Sequence, residues 1–266
     1  MESSYIPISN TQLALSAALI VINIGLSWAL RLGLERQLWI ASFRMVVQLL
    51  LVGLVLQWVF TLRDPLWVLF VMLLMTSMAG ISAVNRTRRR YRSIYWNSFL
   101  SILLAAFTVT SLTVNGIIQA PLWYDPQYFI PLLGMVLGNA LTGTSLALDR
   151  FMEDLASRRD QIEALLTLGA TRWEAAHNTI RDALRTGMIP TINSMMVMGI
   201  VSLPGMMTGQ ILAGASPSEA VRYQIVIIFA IAAGTALTTI TIIVLSFYAL
   251  FNSSHQLCLE RLQTVR

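Results

Sequence analysis

The chain has 266 residues, of which 56% are hydrophobic and only 12% are Asp, Glu, Lys or Arg, about half the charge of a soluble domain. Its 18 basic residues are all Arg. Without Lys there is no side chain to reach the β/γ-phosphates from a Walker A loop, and no Lys Schiff base can form, so both are excluded. A single Cys, Cys258, excludes a disulfide framework and a Cys-based metal cluster.

Seven apolar segments follow one another at residues 11–30, 39–61, 65–85, 95–118, 128–148, 191–212 and 222–250. Each is about long enough to cross a bilayer as a helix. The first is longer than a signal-peptide core, and residues 1–10 carry no positive charge, which predicts a retained helix. The chain thus reads as an all-α polytopic membrane protein, a single transmembrane domain over 1–266. Arg31 and Arg36 follow the first run. Arg86, Arg88, Arg89, Arg90 and Arg92 follow the third, six Arg from Arg150 to Arg185 follow the fifth, and Arg261 and Arg266 close the chain. Arg63 and Arg222 fall on the other side. This asymmetry predicts an inner-membrane protein with its N-terminus outside and its C-terminus in the cytoplasm. The net charge of +5 concentrates beside apolar runs. It therefore points to membrane orientation and anionic lipid headgroups rather than to nucleic acid.

Residues 149–189, between the fifth and sixth runs, form the one large soluble piece. Phe151, Leu155, Arg158, Ile162 and Leu165 or Leu166 recur at helical spacing, with Glu153, Asp154, Arg159, Asp160 and Glu163 between them. This amphipathic helix is expected to continue directly from the fifth membrane helix and to stop at Gly169, a residue suited to the left-handed position after a helix end. Thr171 and Glu174 then have the spacing of a capping box. Trp173, Ala176, Ile180 and Leu184 line a second helix, expected to end near Gly187 ahead of Pro190. The prediction is a cytoplasmic helical hairpin with a tight, exposed turn.

The stretch "EALLTLG", Glu163 to Gly169, resembles the EAA signature of ABC-transporter permeases, with Leu165 in place of the second Ala. In that family the turn docks into a groove on a separate ATPase subunit. By this resemblance Glu163, Ala164, Gly169, Ala170, Thr171, Arg172 and Glu174 are the coupling residues. "PLLGMVLGNAL" (131–141), "LGATRWEA" (168–175) and "GIVSLPGMMTGQILAGASPSEAVRYQI" (199–225) extend the likeness over most of the chain, to the Fet-type permease family. Its bacterial members are implicated in iron export, and its plant relatives in aluminium tolerance and nucleotide-sugar transport. The resemblance implies seven membrane helices, export as the direction, a homodimer of this chain, and an ABC ATPase partner that binds ATP and Mg. No cofactor belongs to this chain itself.

Candidate pathway residues come from the membrane segments. Pro204 and Gly205 lie deep in the sixth run, where broken backbone is tolerated if it is buried or lines a cavity. Met206 and Met207 sit beside that break in a Met-rich stretch; thioethers are soft ligands, but also flexible fillers. Asn139 lies within the fifth run near a Gly134-xxx-Gly138 pair, where small residues permit close helix contact. Arg44 and Gln48 share one face of the second. No Asp, Glu, His or Cys lies within the seven cores. That pattern disfavours a tight ferrous site, which wants carboxylate or imidazole, and disfavours an ionisable proton relay. The expected function is the membrane-spanning subunit of an ABC exporter for iron or another metal. The alternatives are an ABC permease for a nucleotide sugar or other polar solute, and an ATP-independent channel or carrier.

Overall fold

The computed structural model describes residues 8–62, 64–252 and 254–264; Arg63 and Arg266, counted above among the loop charges, lie outside them. Six described helices are long and apolar enough to cross a membrane. They are α1 (Asn10–Ala29), α2 (Glu35–Leu62), α3 (Pro65–Asn85), α4 (Ile94–Ser111, prolonged by a π-helical stretch to Ile118), α5 (Pro126–Ser157) and α9 (Pro217–Leu250). Between α5 and α9 come α6 (Arg159–Thr167), α7 (Arg172–Val197) and α8 (Gly205–Leu212). Local chemistry sets many of the starts. Asp64, Asp125 and Ser216 each cap a helix whose next residue is Pro. The cap satisfies an orphan N–H, and Pro tolerates the first position because its missing donor would be orphaned there anyway.

The helix α5 is the hub, packed against α3, α4, α7 and α9, while α4 also packs along α9. Phe129, Leu133 and Val136 join Ile102, Val109 and Ile227 in one buried cluster; Leu148, Phe151, Leu155 and Ile162 join Ala176, Ile180 and Phe247 in a second, at the hairpin end. The α1–α2 pair stands to the side and leaves most of its Leu, Val and Trp side chains uncovered, as surfaces meant for lipid or a second protein do. Two two-residue strands, β1 (Arg89–Arg90) and β2 (Gln263–Thr264), pair antiparallel. Arg88 N–H donates to Asp149 Oδ1 at 2.9 Å, and Arg89 pairs with Glu153 at 3.1 Å. The Arg-rich loop, the foot of α5 and the C-terminal tail are thereby gathered at one end of the molecule.

Three helices cross closely at two glycines. A Cβ on Gly187 of α7 would stand 2.8 Å from the Gly143 carbonyl oxygen and 2.9 Å from Ala147 Cβ, both on α5, and 3.0 Å from Thr239 Cγ2 on α9. Glycine lets the backbones approach.

This crossing explains one departure from the sequence reading. The second hairpin helix does not end near Gly187; α7 runs on through Pro190 to Val197. Pro removes one backbone donor, but α7 is packed against α5 and α9, and Thr191, directly after the Pro, is still buried. The predicted sixth spanning helix over 191–212 is likewise not one helix. Its first part belongs to α7, its last part is the eight-residue α8, and residues 198–204 between them are not helical. Gly199 turns the chain at φ +84 and donates its N–H to Ser202 O at 2.9 Å. The continuous helix expected from α5 into the hairpin is also interrupted, at Arg158 (φ −102, ψ 21).

A candidate coupling turn and a broken membrane segment

The hairpin turn is built by consecutive caps. At the end of α6, Ala170 N–H donates to Leu165 O (3.0 Å) and Gly169 N–H to Leu166 O (3.1 Å). This is a Schellman motif with Gly169 in the left-handed position at φ +93. No neighbour lies within 4 Å of a Cβ built there, so backbone conformation and not crowding requires the glycine. Thr171 then caps α7: its N–H donates to Glu174 Oε2 at 2.8 Å, and Glu174 N–H donates to Thr171 Oγ1 at 3.3 Å. The backbone bond from Thr171, reinforced by its hydroxyl, lowers the Glu174 carboxyl below its ordinary value. The turn is exposed, and Leu168 at its tip is 84% exposed. Ala164 also faces outward on α6. Glu163 is engaged on its own helix, accepting from Arg159 Nε at 2.7 Å; that bond raises the Arg159 pKa.

Arg172 holds the turn to the rest of the protein. Its guanidinium donates to Asn252 O at 2.9 Å and lies over Tyr248 (5.2 Å) and Phe247 (5.7 Å). Its backbone N–H donates to His255 Nδ1 at 3.0 Å. The Trp173 ring meets Phe247 edge-on at 5.3 Å. The first turn of α7 is therefore fixed to the end of α9 and to the tail beyond it, contacts 80 residues distant in sequence. A second anchor sits where α5 gives way to α6. Asp154, 4% exposed, accepts from Arg150 Nε at 2.9 Å and faces Arg158 at 3.6 Å. Arg158 reaches across to Asp182 of α7 at 3.2 Å. Sequence reasoning passed over Asp154 as one more surface charge, although the four-residue spacing of Arg150, Asp154 and Arg158 carries the signal. It had no means of finding His255 or Asn252.

In the broken segment, Pro204 is the N-cap of α8 (φ −63, ψ 144) and Gly205 its first residue. Pro204 has no helical turn before it, so its ring meets no preceding carbonyl of a helix. Pro204 O instead accepts from Thr208 N–H at 2.9 Å. Met206 packs against the apolar cluster around Phe129, whereas Met207 lines a cavity between the break and α9. The Asn139 amide donates to Met135 O on its own helix at 2.9 Å. A Cβ added at Gly138 would have no neighbour within 4 Å, and one at Gly134 would meet only Met75 Cε, at 3.2 Å. Arg44 and Gln48 share an exposed face of α2 with Gln37, Ile40 and Met45. Among the described residues no group of three or more His, Cys, Asp or Glu could hold a metal ion.

Long apolar helices with a capped hydrophilic hairpin between two of them define a polytopic all-α membrane protein. Residues 10–251 match the Uncharacterised protein family UPF0014, and the chain belongs to that family. It is 42% identical over 228 residues to the UPF0014 membrane protein slr1647 of Synechocystis, covering 85% of this chain and 87% of that one. It is 34% identical over 257 residues to the "Probable iron export permease protein FetB" of Escherichia coli, covering 96% and 97%. It is 34% identical over 245 residues to the Arabidopsis thaliana "Protein ALUMINUM SENSITIVE 3", covering 91% and 88%. No solved structure matches the chain.

Proposed function

We propose that the chain is the membrane-spanning subunit of an ABC exporter, driven by a separate ATPase that docks on the turn over residues 163–174. The observation that carries this reading is the turn itself. It is rigidly capped on both sides, exposes an apolar tip, and is fixed through Arg172 and Trp173 to the end of a membrane helix. A partner pushing on the tip would move α9 with it. The chain has no Lys for a Walker A loop, so ATP and Mg belong to the partner. One such chain carries one hairpin, and two copies would serve two ATPases; the uncovered faces of α1 and α2 leave room for that homodimer or for lipid. The charged end of the molecule, with the Arg-rich loop, hairpin and tail together, faces the cytoplasm of a bacterial inner membrane in this reading, and the N-terminus lies outside.

The substrate is proposed as iron or another metal, from the name of the Escherichia coli relative. A polar organic solute is the second reading, favoured by the absence of a His, Cys, Asp or Glu cluster among the described residues. The test is reconstitution of the chain in liposomes with and without its cognate ABC ATPase, with flux followed for iron, other metals and a nucleotide sugar. ATP-dependent flux that needs both subunits supports the proposal. Equal flux without the ATPase would make the chain a channel or carrier.

A further inference from the structure

The non-helical break and α8 enclose, with α9, a cavity of about 370 Å³. Its lining is distinctive in its donors. Met195 and Met198 enter from the end of α7, Met207 from α8, and Gln224 from α9. Gln224 is only 7% exposed, and its Oε1 has no hydrogen-bond partner. Its Nε2 reaches nothing better than Met198 Sδ, at 3.9 Å, and a thioether is a weak acceptor. A buried acceptor left unpaired is unfavourable, and such groups mark places where a ligand or ion completes the site.

We propose that this cavity binds a soft monovalent cation of the Cu(I) or Ag(I) class. Three thioethers are soft, neutral donors that match such ions. Among the described residues no carboxylate, imidazole or thiol lines the cavity, and the lining offers little to offset the dehydration of a hard di- or trivalent ion. The unpartnered Gln224 oxygen gains a positive charge to face when the cation enters. Methionine also fills gaps in packed interiors, but the structure separates the two uses here. Met206 is packed into the apolar cluster, while Met195, Met198 and Met207 border open space. Met198 closes the helical ladder of α7, its N–H donating to Ser194 O at 3.1 Å, and the backbone beyond it leaves the helix and turns at Gly199 with φ +84. The site stands on these side chains and does not depend on ATP drive.

The test uses the full-length chain in chloride-free detergent, in a Cys258→Ser background that removes the one thiol. Silver nitrate is titrated calorimetrically. One saturable Ag(I) per chain is expected, and Fe(II) under the same conditions should not saturate. Met198→Leu with Met207→Leu should weaken Ag(I) binding at least about tenfold, and Gln224→Leu about threefold. Met206→Leu should leave it unchanged. Leu keeps the volume of Met closely enough for the core to hold. If the double variant aggregates, the single Met207→Leu variant is studied by X-ray absorption, where the count of sulfur neighbours around silver should drop by one. Absent saturable binding, affinity indifferent to the Met198 and Met207 changes, or an unaltered sulfur count would overturn the proposal. ATP-dependent flux measured in the same variants reports separately on the transport reading.

Discussion

Replacing Gly187 by Ala adds one methyl group at the crossing of α5, α7 and α9. That methyl would sit 2.8 Å from the Gly143 carbonyl oxygen, 2.9 Å from Ala147 Cβ and 3.0 Å from Thr239 Cγ2. Ordinary carbon contacts lie at about 3.5–4.0 Å, so each neighbour must retreat by roughly half an ångström or more. The first neighbour is backbone and the second a methyl on the main chain, and neither can swing away by a side-chain rotation. The helices themselves have to part. Overpacking of this kind costs about 1–3 kcal/mol, set against a helix-propensity gain of at most about 1 kcal/mol for Gly to Ala. A net loss of about 1–2 kcal/mol is expected. Gly53→Ala and Gly138→Ala have no neighbour within 4 Å and should gain a few tenths of a kcal/mol or stay level. Thermal unfolding of the three variants in one detergent, followed by a thiol-reactive dye at the buried Cys258, makes the comparison. Gly187→Ala melting together with the two controls would refute the close crossing, and with it the reason α7 continues through Pro190.

Other expectations follow from the hairpin and the break. Arg172→Ala removes a charged hydrogen bond to Asn252 O and two aromatic contacts, worth about 1–2 kcal/mol together; ATPase binding should persist while stimulated hydrolysis falls, read in a reconstituted complex. Asp154→Asn leaves Arg150 and Arg158 without their shared carboxylate at a cost of about 1–3 kcal/mol, and limited trypsin digestion should cut faster at Arg158 or Arg159. The Glu174 carboxyl titrates below its ordinary 4.5, so its cap is in place above that value and is lost as the pH falls through the lower folded-state one; hydrogen exchange at the first amides of α7 should quicken only on that acid side. Pro204→Ala should leave membrane insertion unchanged and alter flux, because Pro204 holds the extended cap from which α8 starts.

The features legible in the sequence are those fixed by neighbours in the chain. Gly169 as a left-handed stop and the Thr171–Glu174 box arise from backbone chemistry within six residues, and both are present. The long apolar runs of α1 to α5 and α9 are equally local. Distant contacts were out of reach. Pro190 reads as a stop, yet packing at Gly143 and Gly187 carries α7 past it. The run 191–212 has a spanning helix's composition, but the turn at Gly199 divides it, and hydropathy does not register a turn made of Gly, Ile, Val and Ser. Arg172 is proposed as a coupling residue through resemblance alone; its tie to Asn252, His255 and the aromatic face of α9 depends on a tail that nothing in periodicity places beside it.

The coupling turn is the central claim, and one double variant tests it most directly. Gly169→Val forces a β-branched residue into φ +93, at roughly 1–2 kcal/mol, and Thr171→Ala removes a cap worth about 1 kcal/mol. Such costs leave a multi-helix protein folded but displace an exposed turn. The variant is reconstituted with the cognate ATPase, and complex formation and stimulated ATP hydrolysis are measured beside the parent protein. Normal insertion with loss of binding or of stimulation is the predicted result; binding and stimulation equal to the parent would contradict the assignment of this turn as the coupling element.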